Sequence, residues 1–170
     1  LRRVRHANCV LLHGACIDPQ NGDIALVFEF VQGKQLEALV QNTASPPTPS
    51  GRRSIMLDVC CALRFLHALS PQIVHGDLKP GNVLVEELMQ GLRAKVLDFG
   101  LSRLMTKNRR SLGGTIAYMA PEVILRRRDT QGASADVFSF GRLAHFIVSG
   151  LPPFRNISSD DIAAMARRGF

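Results

Sequence analysis

The feature that most constrains this chain is a short polar run, residues 75–84 (HGDLKPGNVL). The run carries a carboxylate, a lysine and an amide at Asp77, Lys79 and Asn82, and a second carboxylate follows at Asp98. Carboxylate and amide oxygens are the hard ligands that Mg²⁺ takes, and a lysine neutralises charge on a phosphoryl group. The combination predicts a site that moves a phosphoryl group held by magnesium, in which Asp77 orients or deprotonates the accepting hydroxyl.

Length and composition are those of a single domain. The chain has 170 residues, of which 46% are hydrophobic, and this is enough for a sizeable core. No run of about 18 apolar residues is present that could span a membrane. The first six residues (LRRVRH) become polar too soon for a signal peptide and include no initiator methionine. We therefore expect the chain to be a piece of a longer protein.

The cysteines indicate a reducing compartment. Cys9, Cys16, Cys60 and Cys61 have neither a zinc-binding spacing nor an evident disulfide framework. We expect reduced, buried thiols in an intracellular protein. Such a protein would be cytoplasmic, or would lie on the cytoplasmic side of a membrane if its parent is a receptor.

The net charge of +7 raises the question of a nucleic-acid partner. The basic clusters at 109–110, 126–128 and 167–168 are short and scattered. The chain has one tyrosine and no tryptophan to stack on bases. We expect the basic residues to form solvated surface or to give a mild preference for acidic partners, and we expect no nucleic-acid partner.

Apolar periodicity and turn residues predict the elements of the first part of the chain. Residues 1–6 are expected to be the end of a helix. Two apolar runs of strand length, 9–16 and 24–31, flank turn residues at 18–23 and predict a hairpin. A short helix is expected at 34–41.

Two longer helices are predicted further along. The first covers 54–69, has one buried face, and has Ser50 or Ser54 as its N-cap. The second covers 136–149, begins after Ser134, and is apolar enough to be buried on most of its circumference. The remaining elements are short strands at 73–74, 83–85 and 94–97, a long functional loop at 101–120, and a last helix from Ser158 onward.

Four motifs, taken in order, resemble those of eukaryotic protein kinase domains. Residues 75–82 resemble the catalytic loop, and residues 98–100 (DFG) resemble the magnesium motif. Residues 119–122 (MAPE) resemble the end of the activation segment. Residues 136–141 (DVFSFG) are similar to the buried central helix, with Phe138 where tryptophan is usual.

The resemblance implies an α+β fold and a single partial protein kinase domain over residues 1–170. Residues 1–31 would be a remnant of the β-rich N-lobe, with the end of the regulatory helix, a hairpin and the hinge. Residues 32–170 would form a mostly α-helical C-lobe. This lobe would carry the catalytic loop at 75–82 and the activation segment at 98–122.

The resemblance also implies catalytic roles. Asp77 would be the catalytic base, and Lys79 would contact the γ-phosphate of ATP. Asn82 and Asp98 would bind Mg²⁺. ATP and Mg²⁺ are therefore the expected cofactors.

Other positions would contact the adenine of ATP. Phe28 would be the gatekeeper, and Glu29 and Val31 would offer backbone groups to the base. Leu84 would pack under the ring. A stacked apolar spine between the lobes would contain Leu12, His75 and Phe99, with Leu1 as a further candidate.

The same resemblance implies the substrate class. Lys79, two residues after Asp77, and the pair Gly114-Thr115 resemble serine/threonine kinases rather than tyrosine kinases. The hydroxyl of Thr115 would contact the catalytic residues. Glu122 would pair with an arginine of the family's late helices, which these 170 residues do not contain, so we expect truncation at the C-terminal end as well. Residues 65–75 (FLHALSPQIVH) are similar to the tyrosine-kinase-like group. The expected partners are proteins that present serine or threonine hydroxyls.

The sequence departs from the family at two places. Gly76 replaces an arginine that can pair with a phosphate on the activation loop, so we expect activity that does not depend on phosphorylation of Thr106 or Ser111. The 170 residues also contain no glycine-rich loop and no phosphate-binding lysine. We expect an incomplete gene model, an upstream N-lobe segment that completes the site, and weak or no activity of these residues alone.

Two alternatives stay open from the residues. Small-molecule phosphotransferases of the aminoglycoside and choline kinase type have a similar catalytic loop, and Gly76 fits their pattern well. They lack the segment that ends at residue 122. A pseudokinase or scaffold module is the second alternative, although such a protein has no need of the magnesium-binding and catalytic residues Asp77, Lys79, Asn82 and Asp98.

Overall fold

The computed structural model describes residues 4–99, 113–125 and 132–169, with side chains from residue 116 in the middle range. Leu1, residues 101–112 of the expected loop, and the basic clusters at 109–110 and 126–128 lie outside the described residues. Residues 4–6 form no helix, so the expected helix end is wrong for this part of the range.

The predicted hairpin is confirmed with shorter strands. β1 (Leu12–Ile17) pairs antiparallel with β2 (Ile24–Phe28). The turn is closed by a hydrogen bond from the Gly22 N–H to the Asp18 carbonyl, and Gly22 has φ of +75°, where glycine is favoured. Residues 9–11 do not extend β1, because the backbone around Cys9 pairs in parallel with Val96 instead.

A second sheet has the order β3-β4-β5 and is antiparallel throughout. Its strands are β3 (Gly33–Gln35), β4 (Val83–Leu88) and β5 (Gly91–Val96). The predicted strand at 73–74 does not form. The Ile73 N–H donates to the Leu66 carbonyl and the His75 N–H donates to the Asp136 carboxylate, so these groups are not in a ladder.

Five α-helices are described, together with 3-10 turns at Pro80–Asn82 and Gly113–Tyr118. The helices are α1 (Leu36–Val40), α2 (Pro49–Ala68), α3 (Pro121–Ile124), α4 (Ala133–Ser149) and α5 (Ser159–Arg168).

The predicted start of α2 was wrong. Its N-cap is Thr48, whose side chain accepts a hydrogen bond from the Gly51 N–H, and Pro49 occupies the first turn. Helix α4 begins after Gly132 rather than Ser134. The start of α5 is confirmed, because Ser158 accepts a hydrogen bond from the Asp161 N–H.

The core lies between α2, α4 and the β4–β5 hairpin. One face of α2 is fully buried, and it shares a cluster with the inward face of α4. Side chains of β4 and β5 complete the cluster. Its members on these elements include Ile55, Val59, Leu63, Leu66, Val83, Val85, Ala94, Val96, Leu143, Phe146 and Ile147.

Helix α4 is less buried than its composition predicts. Val137 and Val148 are 61% and 63% exposed, so burial on most of the circumference was wrong. The apolar composition of α4 predicted burial around most of the helix, whereas in the structure one face of α4 packs against α2.

The side chain of Arg52 connects the start of α2 to the C-terminal end of α4. The Arg52 guanidinium donates to the carbonyls of Ile147 and Val148, near the C-terminal end of α4. Its Nε also donates to the Pro47 carbonyl at 3.1 Å. Cations are favoured at a helix C-terminus, because the last carbonyls there lack intrahelical donors.

All four cysteines are free, but only Cys9 is buried. Cys16 and Cys60 are exposed, so the expectation of buried thiols was wrong for them. Burial raises the pKa of the Cys9 thiol to about 12. Among the helices that the structure describes, none has the length and apolar character required to cross a membrane.

Candidate active site

The polar loop is anchored to α4 by one buried carboxylate. Asp136 is 1% exposed and accepts hydrogen bonds from the backbone N–H groups of His75 and Gly76, at 2.7 and 2.8 Å. Its Oδ2 also lies 2.8 Å from Nε2 of His67 on α2. These three hydrogen-bonded groups compensate for the burial of the Asp136 carboxylate, and they fix the position at which the loop begins.

The ring of His75 links two backbone segments. It is fully buried, and burial lowers the pKa of the imidazole against the raising effect of Asp136 and Asp77. A neutral ring has one donor nitrogen and one acceptor. Nδ1 accepts from the Asp77 N–H at 3.2 Å, so Nε2 carries the proton and donates to the Leu97 carbonyl at 3.1 Å. The ring therefore ties the backbone of Asp77 to the residue before Asp98.

The polar side chains of the loop lie together. Nζ of Lys79 lies 2.8 Å from Oδ2 of Asp77. The Asn82 amide nitrogen donates to the Asp77 carbonyl at 2.8 Å and to its carboxylate at 3.2 Å. Because that nitrogen faces Asp77, the amide oxygen of Asn82 faces the other way.

Asp98 is held next to Asn82 by the backbone. The Leu97 N–H donates to the Asn82 carbonyl at 3.0 Å. Asp98 is exposed and has φ of 60°, in the left-handed region that non-glycine residues adopt rarely. This conformation turns the chain sharply after β5.

The donor set suits magnesium bound together with phosphates. No group of three or more His, Cys, Asp or Glu that could hold a metal occurs within the described ranges. Mg²⁺ is commonly bound by one or two protein oxygens plus the phosphates of a nucleotide and waters. An amide oxygen at Asn82 and a carboxylate at Asp98 fit that requirement.

The residues expected to contact adenine lie at the end of β2, directly after it, and on β4. Phe28 ends β2 and is half-buried, and Leu84 is half-buried on β4. The Glu29 N–H donates to the Leu11 carbonyl, and the Val31 carbonyl accepts from the Gly33 N–H. Among the described contacts, the Glu29 carbonyl and the Val31 N–H have no partner.

The residues expected to form a spine are placed at different depths. His75 and Phe99 are buried, and Phe99 belongs to the core cluster. Leu12 is half-buried at the start of β1. The spine role stays a prediction.

The end of the expected activation segment packs against the helical part. Its 3-10 turn contacts α4 and α5. Tyr118 is 7% exposed, and burial raises the pKa of its hydroxyl above the ordinary value. Glu122 is half-buried in α3, whereas the side chain of Thr115 lies outside the described residues.

Sequence reasoning missed three residues that support this site. Asp136 was placed at a helix start but was not assigned its contacts to His75 and Gly76, and His67 was not singled out. A lone carboxylate in a largely apolar helix is a signal for such a role, because a buried charge requires partners. Lys95, which contacts Glu29, had no comparable signal.

Comparison with known proteins is consistent with this geometry. The sequence matches the family described as protein kinase domain over residues 1–170. It is 34% identical to "Serine/threonine-protein kinase CTR1" of Arabidopsis thaliana, over 96% of this chain and 20% of that protein. It is 35% identical to "Serine/threonine-protein kinase DCLK1" of Rattus norvegicus, over 95% of this chain and 36% of that protein.

A third relative is "Mitogen-activated protein kinase kinase kinase 10" of Mus musculus, 34% identical over 94% of this chain and 17% of that protein. The chain belongs to the protein kinase domain family. It spans between 17% and 36% of the length of these three relatives.

These matches decide between the families that the catalytic-loop motif left open. The predicted family and the α+β fold are confirmed, and the small-molecule phosphotransferase alternative is not supported. The matches include kinases of the tyrosine-kinase-like group. The relatives are named as kinases, which favours a catalytic protein over a scaffold.

Proposed function

We propose that this chain is the catalytic part of a serine/threonine protein kinase, which transfers the γ-phosphate of ATP to hydroxyls of protein substrates. The observation that carries the proposal is the position of Asn82. Its side chain contacts Asp77, and its carbonyl accepts from the backbone directly before Asp98. One residue thus brings the proposed base and both proposed magnesium ligands into one site.

Asp77 acts on the hydroxyl of the substrate. Its carboxylate orients the hydroxyl and accepts its proton as the oxygen bonds to the γ-phosphorus and the bond to the ADP oxygen breaks. Lys79 supplies positive charge beside this carboxylate, with its Nζ 2.8 Å from Oδ2 of Asp77. Asn82 and Asp98 would hold Mg²⁺, which would neutralise charge on the phosphates.

The backbone after β2 supports binding of adenine. The Glu29 carbonyl can accept from the exocyclic amino group of the base, and the Val31 N–H can donate to the neighbouring ring nitrogen. The other hydrogen-bonding groups of these two residues are used within the chain. Phe28 and Leu84 are half-buried and can provide apolar contact for the ring.

The substrate class rests on the loop and on the relatives. Lys79 and the Gly114-Thr115 pair follow the serine/threonine pattern, and the relatives' names carry the same description. Two further relatives, "Lectin-domain containing receptor kinase VI.3" and "Receptor protein kinase WSS1", are named as receptor kinases. We place the chain in the cytoplasm, or on the cytoplasmic side of a membrane, because ATP is abundant there.

The test is phosphate transfer by the full-length protein that contains this chain. With radiolabelled ATP, Mg²⁺ and a mixed Ser/Thr and Tyr peptide library, we expect label on serine or threonine. Asp77→Asn should lower kcat by about 10²- to 10⁴-fold, the range for loss of a general base. Glu87→Gln, whose side chain is exposed near the end of β4, is the control and should retain activity.

Absence of transfer by the full-length protein, or equal rates for Asp77→Asn and the parent, would overturn the proposal. Label on tyrosine alone would overturn the substrate class. We expect residues 1–170 alone to transfer phosphate weakly or not at all, because they contain no glycine-rich loop and no phosphate-binding lysine. Ordinary kinase rates from this fragment would contradict that expectation.

A further inference from the structure

An ion pair joins the end of the hairpin to the three-stranded sheet. Nζ of Lys95 on β5 lies 2.7 Å from Oε2 of Glu29, which follows β2. Both side chains are largely buried, with exposed fractions of 12% for Lys95 and 24% for Glu29. Among the ion pairs that the structure describes, this is the one that connects the two sheets.

The Glu29 carboxylate is fixed by a second group. Its Oε1 accepts from the Leu11 N–H at 2.9 Å, while the Glu29 N–H donates to the Leu11 carbonyl at 2.8 Å. Burial acts to raise the pKa of Glu29, but Lys95 and the Leu11 N–H together lower it. The Glu29 carboxylate is therefore charged at neutral pH, and its contacts with the Leu11 N–H and Lys95 fix its orientation.

Both ends of the pair are close in sequence to proposed ligand-binding groups. The carbonyl of Glu29 itself is a proposed adenine contact. Lys95 precedes Asp98 by three residues, which is about 10 Å of extended chain. Asp98 has φ of 60°, and such a conformation persists where the surrounding structure holds it. Through its ion pair with Glu29, Lys95 connects the strand that leads into this turn to the residue after β2.

We propose that Glu29 and Lys95 are positioning residues, which set the adenine-contacting backbone relative to the magnesium ligand Asp98. Adenine binding and magnesium binding then support each other, because adenine contacts the backbone of Glu29 and magnesium contacts Asp98, which follows Lys95 on the same segment. This inference rests on the proposed function. The two side chains act through the backbone of Glu29 and the strand before Asp98.

The test compares ADP binding with and without Mg²⁺ by calorimetry, on the full-length protein that contains this chain. The parent should bind ADP more tightly when Mg²⁺ is present. In Lys95→Met this magnesium enhancement should fall by about 5-fold or more, at the low end of typical coupling between sites. Glu29→Gln should show the same loss, and the double variant should lose no more than either single variant.

Two controls separate positioning from general weakening of the sheet. Lys95→Arg keeps the charge and should retain most of the enhancement. Arg93→Met breaks the pair with Glu86 on the same strand, where Nη2 and Oε2 are 2.8 Å apart, and should leave the enhancement unchanged. If Lys95→Met does not fold, Glu29→Gln gives the same information.

Each outcome has one meaning. An unchanged enhancement in Glu29→Gln and Lys95→Met, with the parent binding ADP, overturns the inference and leaves the proposed function intact. An equal loss in Arg93→Met also overturns the inference. A parent protein that binds no ADP under either condition overturns the proposed function itself.

Discussion

The carboxylate of Asp136 lies 2.7 Å from the backbone nitrogen of His75, although the two residues belong to a helix and a loop far apart in the sequence. The loop that carries Asp77 therefore begins at a point set by α4. Because the carboxylate is buried and accepts from two backbone N–H groups, its loss would leave these donors without a charged partner.

Replacement of Asp136 should weaken the fold and the activity together. Asp136→Asn keeps the size of the side chain but removes its charge. The amide nitrogen of the new side chain would face the backbone N–H groups from which the carboxylate accepts hydrogen bonds. We expect a loss of about 2–3 kcal/mol in the free energy of unfolding. Chemical denaturation of the full-length protein, followed through the kinase-domain transition, measures it. Asp160→Asn, on the exposed start of α5, is the control; equal stability of Asp136→Asn and the parent contradicts this account.

Gly76 should be required for its backbone conformation. Its φ is +76°, where a residue with a Cβ atom is strained by about 1–2 kcal/mol. We expect Gly76→Ala to lower the thermal midpoint and to reduce kcat, because Asp77 follows directly. Gly81→Ala is the matched control on the same loop, since a Cβ there would meet no atom within 4 Å. A larger loss in Gly81→Ala than in Gly76→Ala would refute the prediction.

The buried ring of His75 should make stability depend on pH. Its pKa is lowered in the folded state by burial, whereas in the unfolded chain it is about 6.5. The unfolded state then binds more protons, so the contribution of His75 is present above pH ~6.5 and is lost as the pH falls below that value. Urea unfolding of the parent and of His75→Gln between pH 5 and 8 checks this. The parent should lose more stability on acidification than His75→Gln, and parallel curves would argue against it.

Arg52 should contribute to the contact between α2 and α4. Arg52→Met retains much of the apolar stem but removes the donors to the Ile147 and Val148 carbonyls. We expect a loss of about 1–3 kcal/mol, as for hydrogen bonds from a charged group. Arg53→Met on the exposed side of α2 provides the comparison and should change stability little. Thermal unfolding of both variants measures the difference, and indistinguishable midpoints would exclude this role for Arg52.

Local chemistry in the sequence predicted most of the elements. The turn residues between Asp18 and Asp23 predicted the hairpin, and Ser158 predicted the start of α5. The apolar pair Ile73-Val74 was misassigned as a strand, because its surroundings depend on Leu66 and Asp136, which periodicity does not report. The exposed face of α4 was missed for the same reason, since hydrophobicity does not say which neighbour covers a helix.

The residue types that form the candidate site could be predicted from the sequence, but the residues that hold them in place could not. The motif around Asp77 and Asn82 indicated phosphoryl transfer, since few other chemistries need those side chains together. The contact between Glu29 and Lys95 could not be predicted, because it depends on how residues 8–11 pack between the two sheets.

The parallel pairing near Cys9 has a consequence for motion. Val10 and Asn8 exchange backbone hydrogen bonds with Val96, so residues 8–10 are joined to the three-stranded sheet although they precede the hairpin in the chain. If the β1–β2 hairpin tilts when a nucleotide binds, residues 8–10 keep their position beside β5. The pivot then lies at Leu11, where the hydrogen-bond partner changes from β5 to Glu29.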